Sequence, residues 1–356
     1  MARRRLQLLP LVMRRMWMDI PTLPAPVPVM VLTGFLGAGK TTLLNQLLRA
    51  DHGLRVAVLV NDFGSINVDT QLVVEVEDGA VSLANGCICC TLRDDMLDVV
   101  LQVLRRPTPP DYIVIEASGI SDPLAIALTF RMPELRGVLM LDSVVAVVDA
   151  EQVDARHGYE ATVIDQVSAA DIVVLNKMDL VGEDRRGFLY TWVRQIVPRA
   201  RILESTFGRV PLEFVMGAGK HRIALDAMAI DGHNHEHDHD HAQQFGTWSY
   251  TSETPLVLAR LREVLGALPV SIYRGKGLVA LADAPERRVI FHLVGRRVSL
   301  VVGEPWGAEP PRTQLVLIGT PDGVDAATLE RSFAACHEGA PASPAQPAYE
   351  WVRAQP

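Results

Sequence analysis

Val29-Met30-Val31-Leu32-Thr33-Gly34-Phe35-Leu36-Gly37-Ala38-Gly39-Lys40-Thr41-Thr42 is the stretch on which the rest of the chain depends. Its apolar opening, residues 29–32, reads as a buried strand. Gly34, four residues, then Gly39-Lys40-Thr41 complete the phosphate-loop pattern G-x-x-x-x-G-K-[ST], with a strand before it and a helix after it. The glycines let the backbone curl so that its N–H groups face an anion. Lys40 sets a cation on the outer phosphates, and the Thr41 hydroxyl is a Mg²⁺ ligand. The helix that follows carries Leu43, Leu44, Leu47 and Leu48 on one face and turns its positive end toward the phosphates. The nucleotide-binding residues expected here are Gly34, Phe35, Leu36, Gly37, Ala38, Gly39, Lys40, Thr41 and Thr42.

Around this stretch lie 356 residues, enough for about two domains. The apolar share of 49% and charged share of 21% are those of a globular protein. A net charge of -8 without a dense basic stripe argues against nucleic acid as a partner. No run approaches the ~20 apolar residues that span a bilayer, so a membrane is not expected either. Arg3, Arg4 and Arg5 precede a brief apolar run that Arg14 and Arg15 interrupt, which does not make a secretion signal. Residues 1–27 read as a disordered tail, with Met16 and Met18 as candidate start positions, and the expected compartment is the cytoplasm.

From residue 29 to about 212, apolar runs alternate with helical patterns. Runs at 55–61, 112–116, 144–149 and 172–176 are continuous and end in polar residues, as in a parallel sheet buried on both faces. Residues 92–104 and 185–197 read as crossover helices. The expected fold class is α/β: a P-loop NTPase domain with a doubly wound, mostly parallel sheet over 28–215. A His-rich linker follows at 216–246. A smaller α/β domain with a largely antiparallel sheet is expected over 247–339, then a tail at 340–356. In that domain 255–265 and 326–336 read as helices; 270–274, 278–281, 289–294, 298–302 and 315–318 read as strands. Ligands of a doubly wound sheet sit at the carboxyl ends of its strands, where Asn61, Glu116 and Asn176 fall.

Asn176-Lys177-Met178-Asp179 follows directly on a strand, the position of the N-K-x-D sequence that reads guanine. The Asp179 carboxylate accepts from the N1–H and 2-amino groups of guanine, donors that adenine does not offer in that arrangement. A site built to make those bonds rejects the base that leaves them unmade. A polar turn with Asp179 as a helix cap is the plainer alternative. Glu116-Ala117-Ser118-Gly119 ends another strand: Glu116 is placed to hold Mg²⁺ together with Thr41, and Gly119 leaves room for the γ-phosphate. Asp62, in Asn61-Asp62-Phe63-Gly64, is a candidate for orienting water, or equally a turn aspartate. With Lys40 and Gly119 it completes the candidate catalytic set.

Three of four cysteines, Cys87, Cys89 and Cys90, crowd one turn before a helix. Thiolates at a helix start have lowered pKa values and bind soft or borderline metals. Three supply most of a tetrahedral Zn²⁺ site, and an incomplete sphere suits transfer. Buried apolar cysteines and a redox dithiol are the alternatives. His233, His235, His237, His239 and His241 alternate with acidic and amide residues and form an accessory metal tract, Zn²⁺, Co²⁺ or Ni²⁺ being chemically acceptable. A solvated linker is the alternative there. The remaining histidines and Cys336 carry no assignment.

Together these features resemble the CobW family of P-loop GTPases, relatives of the nickel-inserting GTPases of hydrogenase and urease maturation. The resemblance rests on residues 34–42, Asn61-Asp62-Phe63-Gly64 with Asp69, Asn85-Gly86-Cys87-Ile88-Cys89-Cys90, Glu116-Ala117-Ser118-Gly119 with Asp122-Pro123, and Asn176 to Asp179. It continues in Tyr273-Arg274-Gly275-Lys276-Gly277 and Phe291-His292-Leu293-Val294-Gly295. Asp62 stands where many members carry glutamate. The resemblance implies GTP hydrolysis with Mg²⁺, coupled to handling Zn²⁺ or Co²⁺ and its delivery to a client metalloprotein. A metal-buffering protein, in which the histidine tract dominates and the nucleotide is structural, is the alternative. A homodimer stays open.

Overall fold

The computed structural model describes residues 25–60, 80–82, 91–132, 135, 137–153, 159–216 and 245–337, with Pro21 and Leu23. They divide into two units. The first comprises residues up to 197 and 202–210; the second takes 198–201, 211–217 and the chain from 221 on.

The first unit is a seven-stranded sheet in the order β3-β2-β4-β1-β5-β6-β7. Its strands are β1 (Val27–Thr33), β2 (Val56–Val60), β3 (Ala80–Ser82), β4 (Tyr112–Glu116), β5 (Leu139–Asp149), β6 (Ile172–Asn176) and β7 (Arg201–Glu204). β1 runs parallel to both β4 and β5, β2 to β4 and β3, and β5 to β6. The helices are α1 (Lys40–Arg49), α2 (Thr91–Leu104), α3 (Pro123–Thr129), α4 (Glu160–Ala169), α5 (Glu183–Ile196) and the short α6 (Leu212–Val215), which belongs to the second unit. Val27 and Val29 pack with Ile113, Ile115 and the α2 residues Leu97, Val100 and Leu101. Met30 and Leu32 point the other way and are equally buried. Both faces of the sheet are therefore covered, which is why its strands read as unbroken apolar runs.

Strand order reverses about β1, so the ends of β1, β4, β5 and β6 open on one crevice. The register sets Leu32 beside Glu116 and Asp149 beside Asn176. β5 begins five residues before the expected strand. A bulge lets it do so: Val29 pairs with Leu141 and Met30 with Ser143, leaving Asp142 out of the ladder. Asp142 is buried there and accepts a 2.5 Å hydrogen bond from the Tyr112 hydroxyl.

The second unit is a five-stranded antiparallel sheet, order β11-β10-β9-β12-β8, with α7 (Leu258–Ala267) and α8 (Ala326–Ala334). The strands are β8 (Gly246–Ser252), β9 (Ile272–Ala280), β10 (Arg287–Val294), β11 (Arg297–Pro305) and β12 (Thr313–Gly319). Its core gathers Trp248, Tyr250, Phe291, Leu315, Leu317, Leu261 and Phe333. Two corrections concern this unit. The strands expected at 270–274 and 278–281 are one strand, β9, running through Gly275 and Gly277. These glycines mark close approach, not a break: a Cβ on Gly277 would lie 2.2 Å from the Gln314 carbonyl oxygen of β12. The expectation also left out β8, whose Trp248 and Tyr250 alternate inward with exposed polar residues. Cys336 is part of this core, and burial pushes its thiol pKa up to about 11, which keeps it protonated and unreactive.

Candidate nucleotide site

The loop between β1 and α1 has its backbone in the left-handed region at Gly34 (φ 139°), Gly37 (φ 75°) and Gly39 (φ 103°). Gly39 is the last residue before α1, and no side chain caps that helix. The opening N–H groups of α1 are thereby left facing the loop's hollow, the arrangement that receives an anion. Gly39 is required for a second reason: a Cβ there would lie 2.2 Å from the Asn176 side-chain nitrogen. Lys40, 8% exposed, folds back over the loop and donates from Nζ to the Phe35 carbonyl at 3.3 Å.

Thr41 and Glu116 come together although 75 residues separate them: the Thr41 hydroxyl donates to Glu116 Oε1 at 3.0 Å. One hydroxyl and one buried carboxylate at the phosphate end of the loop form an all-oxygen donor pair. That chemistry fits Mg²⁺, which binds through one or two protein oxygens and completes its octahedron from phosphates and water. The residues present thus fit the ion.

The turn after β6 is tied to the phosphate loop by Asn176, which is 2% exposed. Its side-chain nitrogen donates to the Ala38 carbonyl at 2.9 Å, and its Oδ1 accepts from the Gly208 N–H at 3.1 Å. Lys177 takes a left-handed backbone (φ 63°) and pairs with Asp149 at 2.8 Å. Asp149, at the end of β5, also accepts from the Glu151 and Gln152 N–H groups. Asp179 lies in a 3-10 turn, Met178–Leu180, with its side chain exposed.

Gly119 lies against the phosphate loop: a Cβ on it would be 2.8 Å from the Leu36 nitrogen. Its carbonyl accepts a 3.0 Å hydrogen bond from the Gln166 side chain on α4, itself 2% exposed. The same helix begins beside Tyr159, whose ring sits 5.1 Å from that of Phe35. α4 and the residue before it therefore touch both the loop after β1 and the loop after β4. Gln166→Leu is expected to cost about 1–3 kcal/mol of stability, because a buried carbonyl loses its donor; urea unfolding measures this, and an unchanged midpoint would refute it.

The structure brings Gly34 to Thr42, Glu116, Gly119, Asn176, Lys177 and Asp179 to one end of one sheet. Asn61, Asp62, Phe63, Gly64, Asp69, Asn85, Gly86, Cys87, Cys89, Cys90, His233, His235, His237, His239 and His241 lie outside the described residues. Reading the sequence missed Asp149, Gln166 and Gly208. Asp149 carried a usable signal, since it ends an apolar run as Glu116 and Asn176 do.

A family model described as the CobW/HypB/UreG nucleotide-binding domain matches residues 28–204, and one described as the cobalamin synthesis protein cobW C-terminal domain matches residues 245–337. A zinc-regulated GTPase metalloprotein activator 1 of Dictyostelium discoideum is 34% identical over 80% of this chain and 69% of its own. A zinc chaperone CobW of Pseudomonas aeruginosa is 33% identical over 83% of this chain and 88% of its own. The zinc chaperone YjiA of Escherichia coli is 32% identical over 83% and 94%. The crystal structure of the Zn(II)-bound YjiA GTPase from E. coli is 28% identical, with 88% of this chain and 99% of that one covered and a TM-score of 0.43.

Proposed function

Because the chain belongs to the CobW family and is accordingly a GTPase, we propose that it is a metallochaperone. It hydrolyses GTP and, by the state of the nucleotide, sets its hold on a Zn²⁺ ion destined for a client metalloprotein. The observation that carries the nucleotide half is the Asn176 side chain, which bonds the Ala38 carbonyl of the phosphate loop at 2.9 Å. It joins the base-reading turn and the phosphate cradle into one site. Zinc enters from the names of the relatives and from the cysteine signature Cys87, Cys89 and Cys90. Co²⁺ and Ni²⁺ suit the same thiolates and imidazoles, and His233 to His241 would serve as an accessory tract.

In this reading Asp179 selects guanine, the α1 N-terminus and the loop N–H groups hold the phosphates, and Lys40 neutralises charge at the outer ones. Thr41 and Glu116 hold Mg²⁺, which when bound neutralises charge on the phosphate oxygens. Gly119 borders the γ-phosphate, close against Leu36 and held by Gln166. Asp62 is assigned the approach of water. Cys87, Cys89 and Cys90 directly precede α2 in the sequence, and α2 packs as one apolar body with β4, whose last residue is Glu116. A shift at the phosphates therefore has a stiff element through which to reach the thiolates.

The test is Zn²⁺ affinity by chelator competition with no nucleotide, with GTP and Mg²⁺, and with GDP. At least a tenfold difference between the GTP and GDP states is expected, about 1.4 kcal/mol of coupling. The difference should vanish in a Cys89→Ser, Cys90→Ser variant. Equal affinities in all three states would overturn the switch.

A further inference from the structure

Among the described residues, two that are not glycine have a left-handed backbone: Lys177 (φ 63°) and Phe207 (φ 54°). Such a conformation is strained for a bulky side chain and persists where the surroundings impose it. The surroundings at Phe207 are specific. Ser205 donates its N–H to the Leu175 carbonyl at 2.8 Å and accepts from the Met178 N–H at 3.1 Å. Gly208 donates to Asn176 Oδ1 at 3.1 Å. The Phe207 carbonyl accepts from the Gln46 side chain of α1 at 3.5 Å. Gly208 also presses on α1, where a Cβ would lie 2.7 Å from the Leu43 nitrogen. Residues 205–208 are thus pinned on one side to the turn that carries Lys177 and Asp179, and on the other to the helix that follows the phosphate loop.

All of this holds a phenylalanine that is 64% exposed. The strain is not repaid by burial in the core, and glycine would suit the backbone better. An exposed aromatic ring beside that turn has the chemistry to stack on a planar ligand. We propose that Phe207 is a nucleotide-binding residue that stacks on the base read by Asp179, with the methylene stem of Lys177 on the opposite side. Lys177 is ready for that part: its ammonium is tied to Asp149 at 2.8 Å, which keeps the stem in place. The inference rests on the guanine reading of Asn176 to Asp179 and adds a sequence-tolerant contact to it, since every base has a π-face.

The experiment compares Phe207→Gly, Phe207→Trp and Asp179→Asn in the full chain, with GDP, ADP and inorganic tripolyphosphate as probes and Mg²⁺ present. Phe207→Gly relieves the backbone, so its melting temperature should equal or exceed that of the parent. Its Kd for GDP should nevertheless rise about tenfold, within the range measured for base–aromatic stacking. Tripolyphosphate affinity and the preference for GDP over ADP should stay as they are. Phe207→Trp should restore GDP affinity and change its fluorescence on binding. GDP affinity equal to the parent in Phe207→Gly would overturn the proposal, and would suit a phenylalanine that docks a protein instead. Equal loss of GDP and tripolyphosphate would also overturn it, as a mere effect on loop structure. If Asp179→Asn keeps its preference for guanine, the guanine reading itself fails. If Asp179→Asn loses that preference while Phe207→Gly binds like the parent, the stacking alone fails.

Discussion

Lys40→Ala lowers GTP turnover about 10²–10³-fold, the scale on which one preorganised donor to transition-state charge is valued. Lys40 is nearly buried and lies over the phosphate loop, with Nζ 3.3 Å from the Phe35 carbonyl. The site excludes much of the water that would otherwise screen the ammonium, which raises its worth to the outer phosphates. Alanine is the better helix former and sits well as the first residue of α1. Folding should therefore survive, and the melting temperature should not fall by more than a few degrees. Single-turnover hydrolysis with the GTP concentration held above Kd isolates the effect. Parental turnover in this variant would refute the role given to the loop.

Asp179→Asn should cost GTP about 10²–10⁴-fold in affinity and turn the preference toward xanthine nucleotides. In the proposed reading the carboxylate would accept from both the N1–H and the 2-amino group of guanine. Asparagine keeps one acceptor and brings an NH₂ group that meets the 2-amino donor head-on. The bond to the 2-amino group is lost, at about 1.5–3 kcal/mol, the N1–H bond loses its charge assistance, and the donor–donor clash adds to both. Xanthine carries an oxygen in place of the 2-amino group and accepts the new donor. Because Asp179 is exposed on a short 3-10 turn, the fold should not notice the change. Calorimetric titration with GDP and with XDP decides it; retention of the guanine preference would sink the assignment.

The parts of the chain that could be read in advance are those where local pattern and tertiary role coincide. β4 and β6 fall on Tyr112–Glu116 and Ile172–Asn176 as expected, because strands covered on both faces admit few polar residues before their functional ends. β5 was half hidden, since Asp142 and Ser143 look like a break, and the Tyr112 hydroxyl that satisfies Asp142 comes from another strand. β9 was cut in two because Gly275 and Gly277 resemble a turn until the strand that presses on them is known. α3 had a legible start, Asp122 followed by Pro123, with the Asp122 carboxylate accepting from the Leu124 N–H at 2.8 Å. α4 did not. Its buried Gln166 breaks the apolar stripe, and its partner is a carbonyl 47 residues away. The site was legible where a motif compresses it into a few residues. It was not legible at Gly208 and Gln166, which matter through contacts that only folding creates.

If Asn176 to Asp179 read the base as proposed, the bond from Asn176 to Ala38 would give the protein a means of fidelity beyond affinity. In the proposed function, a base seated at the turn and a phosphate chain seated in the loop would each bear on this one amide. A nucleotide with the wrong base, even at saturating concentration, would pull that amide out of line and carry the misfit to the phosphates. Discrimination would then be exercised twice, once at entry and once at bond cleavage. The proposed switch would then answer to guanine nucleotides even in the presence of an excess of adenine nucleotides.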